Sequence, residues 1–397
     1  MRYKLGDVAL VRGGKRLPKG AILQSKGNGH PYIRISDYIG DTFDINRIQY
    51  VPDNSLEMLK KYRVNSGDIF LSIVGTIGIV CEIPDNLDGA NLTENAVKIV
   101  ADANVVSGKY LAYFLKSKTG QAQIQKFTVG TTQRKLPIKN IKNIELDLPP
   151  LFIQNKVVRE LSIIDQKIAL NKRINDNLVQ QLSVGFEKLY SDSRHTKTFC
   201  LNEILDSTLT GEWGKEKASN PFNHKSVIIR GTDFDEISNG CVGSAPTRYL
   251  KASSFDKKFL KSNDVLVEIS GGSPTQSTGR SILITNKMLE HFDVRVFGTN
   301  FTRTFRLNGP EEAIIFKSYI DFLYRKNVFF NYENGTTGIK NLDYKAVLKM
   351  VLPDVRQAPT FKQYLMLYTK YYSLVQQLGS ESMRLNDAKE NLLNRYF

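Results

Sequence analysis

The sequence of 397 residues predicts a mixed α/β protein built as two copies of one globular domain, each followed by a long helix. Three observations predict this. "VGTTQRKL" at 129–136 returns as "NGTTGIKNL" at 334–342, and each is followed by a Leu-Pro, in "LDLPPL" and then "MVLPDV". Further segments match in the same order along the two halves. Finally, two proline-free stretches carry apolar residues at alternating spacings of three and four, the period of a helix that buries one narrow stripe.

The first copy opens with "KLGDVAL" at 4–10, which meets "CLNEILD" at 200–206, an apolar-acidic-apolar helix start in both. "YIRISDY" at 32–38 meets "IIRGTDF" at 228–234, keeping Ile-Arg, an Asp and a closing aromatic. "VNSGDIFLSI" at 64–73 meets "LKSNDVLVEI" at 260–269, a turn feeding a β-rich run. All three share an offset of 196, from 4 to 200, 32 to 228 and 64 to 260. "GANLT" at 89–93 then meets "GTNFT" at 298–302 with a larger offset, which places an insertion in the second copy around "SGGSPTQSTGRS" at 270–281. Each globular part also holds an amphipathic helix, "SGKYLAYFLKS" at 107–117 and "FKSYIDFLYRK" at 316–326. A period this long is a tandem of domains and not a solenoid. The boundaries expected are 1–150 and 193–355 for the globular domains, and 151–192 and 356–397 for the helical segments.

In the first helical segment the stripe reads Leu161, Ile164, Ile168, Asn171, Asn175, Leu178, Leu182, Gly185 and Leu189. In the second it includes Phe361, Tyr364, Tyr368, Tyr371, Val375, Leu378, Leu385, Leu392 and Tyr396. A stripe this long and narrow points to pairing with another helix, and the other copy supplies the natural partner. The competing expectation is that each helix packs on its own globular domain. Asn171 and Asn175 at core positions would fix register at some cost in stability.

Bulk composition agrees with this organisation. The length suits two cores, and 41% hydrophobic with 24% charged residues describes a folded chain. Lys and Arg outnumber Asp and Glu by 55 to 40, a net charge of +15, which suggests a polyanionic partner, nucleic acid before an anionic membrane. The start "MRYKLGDVAL" has no apolar region of the kind a secretory signal needs, and the longest apolar run, at 69–80, is too short to span a bilayer. Cys81, Cys200 and Cys241 are widely spaced and suit a reducing cytoplasm.

No catalytic set is visible. A phosphate loop would need glycine where Pro274 stands and lysine where Arg280 stands, and no G-x-G-x-x-G follows a strand. His30, His195, His224 and His291 sit in unrelated contexts without metal-ligand spacing. "EIPD" at 82–85 lacks the order of a nuclease site, and "LDLPPL" lacks the residues flanking the Pro-Pro of amino-methyltransferases. The expectation is a chain with no catalytic residues and no bound metal or cofactor.

The run "FTVGTTQRKLPIKNIKNIELDLPPLFIQNKVV" at 127–158, followed by "QKIALNKRINDNL", resembles the conserved end of a target recognition domain from the DNA specificity subunits of type I restriction-modification systems. The order of domain, helix, domain, helix is similar to that family over essentially the whole chain, although "LPDVRQAPTFKQY" departs from the usual Pro-Pro-Leu. The resemblance implies that each globular domain reads one half of a split, asymmetric target in double-stranded DNA. It implies that the helices pair as an antiparallel coiled coil with pseudo-twofold symmetry, and that this pair sets the spacer. A helix of about 34 residues spans about 50 Å, so the half-sites would lie roughly one DNA turn or more apart. It also implies partners: two docked methyltransferase subunits that bring S-adenosylmethionine, together with restriction/translocase subunits that use ATP and Mg²⁺. DNA contacts are then expected from basic, amide and hydroxyl side chains on loops. In the first copy the candidates are Lys15, Arg16, Lys19, Thr131, Thr132, Gln133, Arg134 and Lys135. In the second they are Gln276, Ser277, Arg280, Thr336, Thr337 and Lys340. Two other classes stay open: a non-catalytic scaffold for partner proteins, and a DNA methyltransferase or nuclease.

Overall fold

Short runs of alternating or wholly apolar residues build the sheets. Ala9–Gly13 buries Ala9 and Val11 and exposes Leu10 and Arg12, while Ile69–Ser72 is buried throughout. The structure is a computed structural model and describes residues 1–273, 275–335 and 339–397. It divides into two units, Met1–Gln166 with Asn386–Phe397, and Lys167–Leu385.

The first unit contains β1 (Ala9–Gly13), β2 (Pro31–Ile33), β3 (Gln49–Tyr50), β4 (Ile69–Ser72), β5 (Val80–Glu82), β6 (Asn91–Leu92) and β7 (Ala96–Ala101). An antiparallel sheet has the order β1-β7-β4-β5. A second sheet has the order β3-β2-β6, with β2 antiparallel to β3 and parallel to β6. Helix α1 (Gly108–Lys116) buries Tyr110 to Leu115 against the first sheet, and α2 (Lys118–Phe127) follows it directly. Helix α3 runs over Leu151–Asp192.

The second unit contains β8 (Leu205–Thr210), β9 (Phe222–Ile229), β10 (Thr247–Lys251), β11 (Val265–Glu268), β12 (Ser281–Leu283), β13 (Val296–Gly298) and β14 (Thr302–Leu307). Its sheets have the orders β8-β14-β11-β12 and β10-β9-β13, with the same parallel and antiparallel pairings as in the first unit. Helix α4 (Pro310–Arg325) takes the place of α1, and α5 covers Phe361–Tyr396. The duplication read from short strings is therefore a duplication of topology.

The shared strings prove to be scaffold. Asp37 and Asp233 are almost wholly buried, and each is held by the guanidinium three residues earlier, Arg34 at 2.7 Å and Arg230 at 2.8 Å. In the second pair of matching turns, Asp68 accepts from the Asn65 N–H and Asp264 from the Lys261 N–H, both at 2.8 Å. Each of these aspartates also takes a cation from the neighbouring strand, Lys98 at 3.2 Å and Arg306 at 2.8 Å. Gly67 (φ 80°) and Asn263 (φ 70°) hold the left-handed position of those turns, which explains a Gly in one copy and an Asn in the other.

One alignment is corrected. The strand register sets Leu92 beside Ile33 and Gly298 beside Ile229, so Gly298 corresponds to Leu92 and not to Gly89. The Gly-x-Asn-x-Thr match is a coincidence of composition, and Thr93 corresponds to Thr299.

Each unit holds one stretch of a helix pair. In the first, Lys389 meets Asp165 at 2.6 Å and the Tyr396 hydroxyl donates to Glu160, while Val157, Leu161 and Leu393 share one core. In the second, the Asn171 amide donates to Glu381 at 2.8 Å, and that of Asn175 donates to the Val375 carbonyl at 3.2 Å. Gly185 lies beside the Tyr364 ring. Partner numbers fall as α3 numbers rise in both units, so the pairing within each is antiparallel.

Of the stripe, Leu161, Leu182, Leu189, Tyr364, Tyr368 and Val375 are buried, and Ile164, Ile168, Leu178, Tyr371, Leu378, Leu385 and Leu392 are half-buried. Phe186, Tyr372 and Leu393, each one residue beyond a stripe position, are more buried than their neighbours. The reason is that both long helices pack on a globular body as well as on each other, Phe186 of α3 against Tyr319 and Phe322 of α4. The Tyr372 hydroxyl donates to the Leu283 carbonyl at 2.9 Å, and that of Tyr364 lies 2.8 Å from Ser318. A Cβ on Gly379 would stand 1.7 Å from the Asn239 carbonyl oxygen. Pairing and packing on the adjoining domain both hold.

Candidate nucleic-acid interface

In the first unit the chain leaves β1 through Gly14, where a Cβ would lie 2.0 Å from the Thr93 carbonyl oxygen. Only glycine permits that crossing. The Lys15 N–H then donates to the Leu92 carbonyl at 2.8 Å, and Arg16 Nε donates to Glu94 at 2.6 Å. From the same turn, the Asn95 carbonyl accepts the Ile73 N–H at 2.8 Å, and the Ile73 carbonyl accepts the Leu136 N–H at 2.9 Å. This chain of backbone bonds ties the 14–16 loop, the 92–95 turn and the 129–136 hairpin into one edge of the unit. Lys15 and Arg16 are thus brought to the same framework as Thr131, Thr132, Gln133, Arg134 and Lys135, which the sequence separates by more than a hundred residues.

The hairpin closes by reciprocal backbone bonds between Val129 and Lys135 at 2.8 and 2.9 Å. Gly130 at its start has φ 95°. Residues 131–135 are all exposed, as are Lys15, Arg16 and Lys19. Arg134 donates to Gln125 at 2.7 Å, which orders its guanidinium at the surface. Hydrogen bonding to Glu94 raises the Arg16 pKa further above its ordinary value, so the group is charged at any working pH. Burial pushes Glu94 up, yet the bonds from Arg16, the backbone and Thr93 outweigh it and hold the carboxyl below its usual range.

The second unit repeats the framework. A Cβ on Gly211 would lie 1.7 Å from the Thr299 carbonyl oxygen, and the Glu212 N–H donates to the Gly298 carbonyl at 2.9 Å. The Ile269 N–H donates to Phe301 at 2.9 Å and the Leu342 N–H to Ile269 at 2.8 Å. Gly335, like Gly130, has a positive φ, 139°. A left-handed glycine opens the hairpin in both copies, which is why its first letter is retained. Thr336 and Thr337 lie outside the described residues.

The side chains on this second framework differ. Arg280 forms a two-pronged pair with Glu268, both bonds 2.9 Å, with its side chain 23% exposed. Ser277 is buried. Gln276 is exposed and donates to the Tyr324 hydroxyl at 3.3 Å. Lys340 is paired with Glu333 at 2.9 Å, and Glu333 also accepts from the Thr278 hydroxyl at 2.8 Å, fastening the inserted loop to the hairpin strand. Arg280 and Lys340, like Arg16 with Glu94 in the first unit, are therefore paired with carboxylates of their own unit, but their side chains are far more covered than that of Arg16.

None of the contact residues expected from the sequence lies in the loop that follows Gly211. This loop places Trp213 where the first unit has Arg16, and its Lys215 pairs with Tyr249 of β10 by reciprocal backbone bonds at 3.0 and 2.9 Å. The equality of the two glycine crossings was the missing signal, because Gly14 and Gly211 stand almost the same offset apart as the segments that were aligned. Among the described residues, no group of three or more His, Cys, Asp or Glu side chains could hold a metal ion, and no helix is long and apolar enough to cross a membrane.

Residues 1–180 match the family model described as type I restriction modification DNA specificity domain. A Haemophilus influenzae protein assigned to type I restriction enzyme specificity subunits is 32% identical over 179 residues, covering 44% of this chain and 42% of its own. The EcoBI specificity subunit of Escherichia coli is 21% identical over 154 residues, covering 38% of this chain and 32% of its own. The chain thus spans less than half the length of these relatives. The crystal structure of a type I restriction-modification S subunit from M. genitalium shares the fold at TM-score 0.55 and 15% identity, covering 100% of this chain and 96% of that one.

Proposed function

We infer that this chain, whose residues 1–180 match the type I restriction modification DNA specificity domain, recognises DNA sequence and catalyses no reaction itself. In this reading residues 1–150 and 193–355 each bind one half of a bipartite, asymmetric target in double-stranded DNA. The segments 151–192 and 356–397 set the spacer and dock two methyltransferase subunits, and restriction/translocase subunits join them. S-adenosylmethionine, and ATP with Mg²⁺, belong to those partners and not to this chain. The assembly works in the cytoplasm.

One observation carries the reading. The same backbone framework is written twice, while the side chains it displays differ between the copies. A scaffold that only needed stability would have no use for two equal frames with unequal loops. A split asymmetric target needs two readers of one shape and two contents. The +15 charge supplies sequence-independent attraction to phosphates, and the loops supply discrimination.

The test is a domain exchange. Residues 1–150 are replaced by the matching domain of a relative, and the methylated motif is read by single-molecule sequencing of cells carrying the methyltransferase subunits. One half of the motif should change and the other persist. A simultaneous change in both halves would overturn independent reading, and methylation without any motif would favour a scaffold.

A further inference from the structure

Trp213 is the only tryptophan of the chain, and its side chain is exposed at the surface, 38% overall. It occupies the position held by Arg16 in the first unit, one residue beyond the N–H that donates to Gly298. The indole is not loose. The Arg248 guanidinium lies over the ring at 4.5 Å and is itself held by Glu216 at 3.1 Å, with the Arg248 side chain only 14% exposed. One face of the indole is therefore occupied by a fixed cation, and part of the residue remains open to solvent. The flanking surface is basic and aromatic in alternation, since Lys215 and Lys251 both stand over the Phe222 ring, at 4.9 and 5.0 Å. These cations can meet phosphates of a duplex whose base the indole contacts.

We propose that Trp213 is a base-reading residue of the second unit and that it takes the methyl-bearing edge of a thymine in the major groove. The proposal rests on the DNA-recognition reading given above. An indole offers one N–H donor and no acceptor, so its discriminating power lies in apolar contact. The thymine methyl is the apolar feature of the major-groove edge. At the equivalent place Arg16 gives its Nε to Glu94, but its side chain is 78% exposed and its terminal N–H groups can donate to guanine or phosphate. The two units thus read different base chemistry from one structural position, which is how equal frames yield an asymmetric target.

The experiment uses the full chain assembled with its methyltransferase subunits. The wild-type motif is first obtained by methylome sequencing, and its halves are assigned by the domain exchange. Absence of any bipartite motif at that stage would defeat the functional reading itself. Given a motif, Trp213→Ala should lower discrimination about tenfold or more at one position of the half assigned to 193–355, the scale of one mismatched base pair. The other half should be unchanged. Trp213→Phe keeps a ring over Arg248 and guards against a folding defect; it should retain the motif with intermediate discrimination. Duplexes in which thymines of that half are replaced singly by uracil should reveal one position where loss of the methyl slows methylation by wild type and has no further effect on the Phe variant's deficit. If Trp213→Phe methylates the same motif with wild-type selectivity, or no uracil position matters, the assignment is wrong while the functional reading stands.

Discussion

Replacing Arg230 by Met should destabilise the second unit in a way that depends on pH. Arg230 Nε and Nη2 donate to Asp233 at 2.9 and 2.8 Å, and Nη2 also donates to the Ser244 carbonyl at 2.9 Å. The carboxylate is fully buried, whereas the arginine side chain is 34% exposed. Removing one partner of a fully buried pair costs about 3–5 kcal/mol because the other charge is stranded. Here the carboxylate keeps the Arg230 N–H at 2.9 Å and the Ser244 hydroxyl at 3.1 Å, and the lost cation was partly solvated. The expected loss at pH 7 is therefore about 2–3 kcal/mol, below the fully buried range. Burial pushes Asp233 up, but the side-chain and backbone bonds of Arg230, with Ser244, prevail and hold its pKa below the ordinary value. A depressed folded pKa contributes stability above the unfolded value near 3.9, and that contribution fades as pH falls through the folded value. In the variant burial dominates, the carboxyl pKa rises above the ordinary value, and protonation relieves the stranded charge. The difference between wild type and variant should shrink from pH 7 towards pH 4. Urea unfolding followed by the fluorescence of Trp213, which reports on this unit alone, measures it. A difference independent of pH, or no loss at neutral pH, would refute the assignment of Arg230 as a structural counter-ion.

Two further outcomes are expected. Asn175 is 4% exposed and its Oδ1 has no partner, so Asn175→Leu should stabilise the α3–α5 contact of the second unit by about 1–2 kcal/mol, read as slower hydrogen exchange around Val375. Faster exchange there would show that the amide is needed for packing. Inserting seven residues into each long helix, after Gln166 and after Leu385, keeps the stripe in phase and adds about 10 Å of helix. The spacer of the methylated motif should lengthen by about three base pairs with the half-site bases unchanged, and an unaltered spacer in a stably folded variant would end the idea that the helices measure distance.

The parts of the fold that were legible in the sequence are those where one residue type is the only solution to a backbone problem. The left-handed turn admits Gly67 or Asn263, and each buried Asp at the turn after the first β-run needs its Arg three residues before it. Such constraints survive while the rest of two copies diverges, so they surface as short matching strings. The helices were legible for a similar reason, since a seam must repeat its apolar residues at the period of the helix. What the stripe could not convey is that α5 has two neighbours. Tyr372 and Gln376 lie just beside the stripe because they face the globular body, Gln376 by donating to the Ser238 carbonyl at 2.7 Å. A one-dimensional period registers one contact face at a time.

The candidate site was less legible, and the reason is physical. A base-reading side chain is chosen for its partner in DNA and carries no local signature in the chain that holds it. Counting basic and amide residues on loops therefore collects every donor, including those already satisfied at home. Arg280 and Lys340 look like Lys15 and Arg134 in sequence, and only the positions of Glu268 and Glu333 separate them. The reverse error follows from the same rule. Trp213 is not among those donors, yet the chain after Gly211 sets it where the first unit sets Arg16. The copies act as each other's control here. Where both keep a residue, the frame requires it. Where one frame position holds a guanidinium in one unit and an indole in the other, the backbone frame does not dictate the side chain, although Arg16 has Glu94 and Trp213 has Arg248 as neighbours within the chain. On that logic, and under the proposed DNA-reading function, the positions of divergence on a common framework are where substitutions should be tried first for an effect on sequence discrimination.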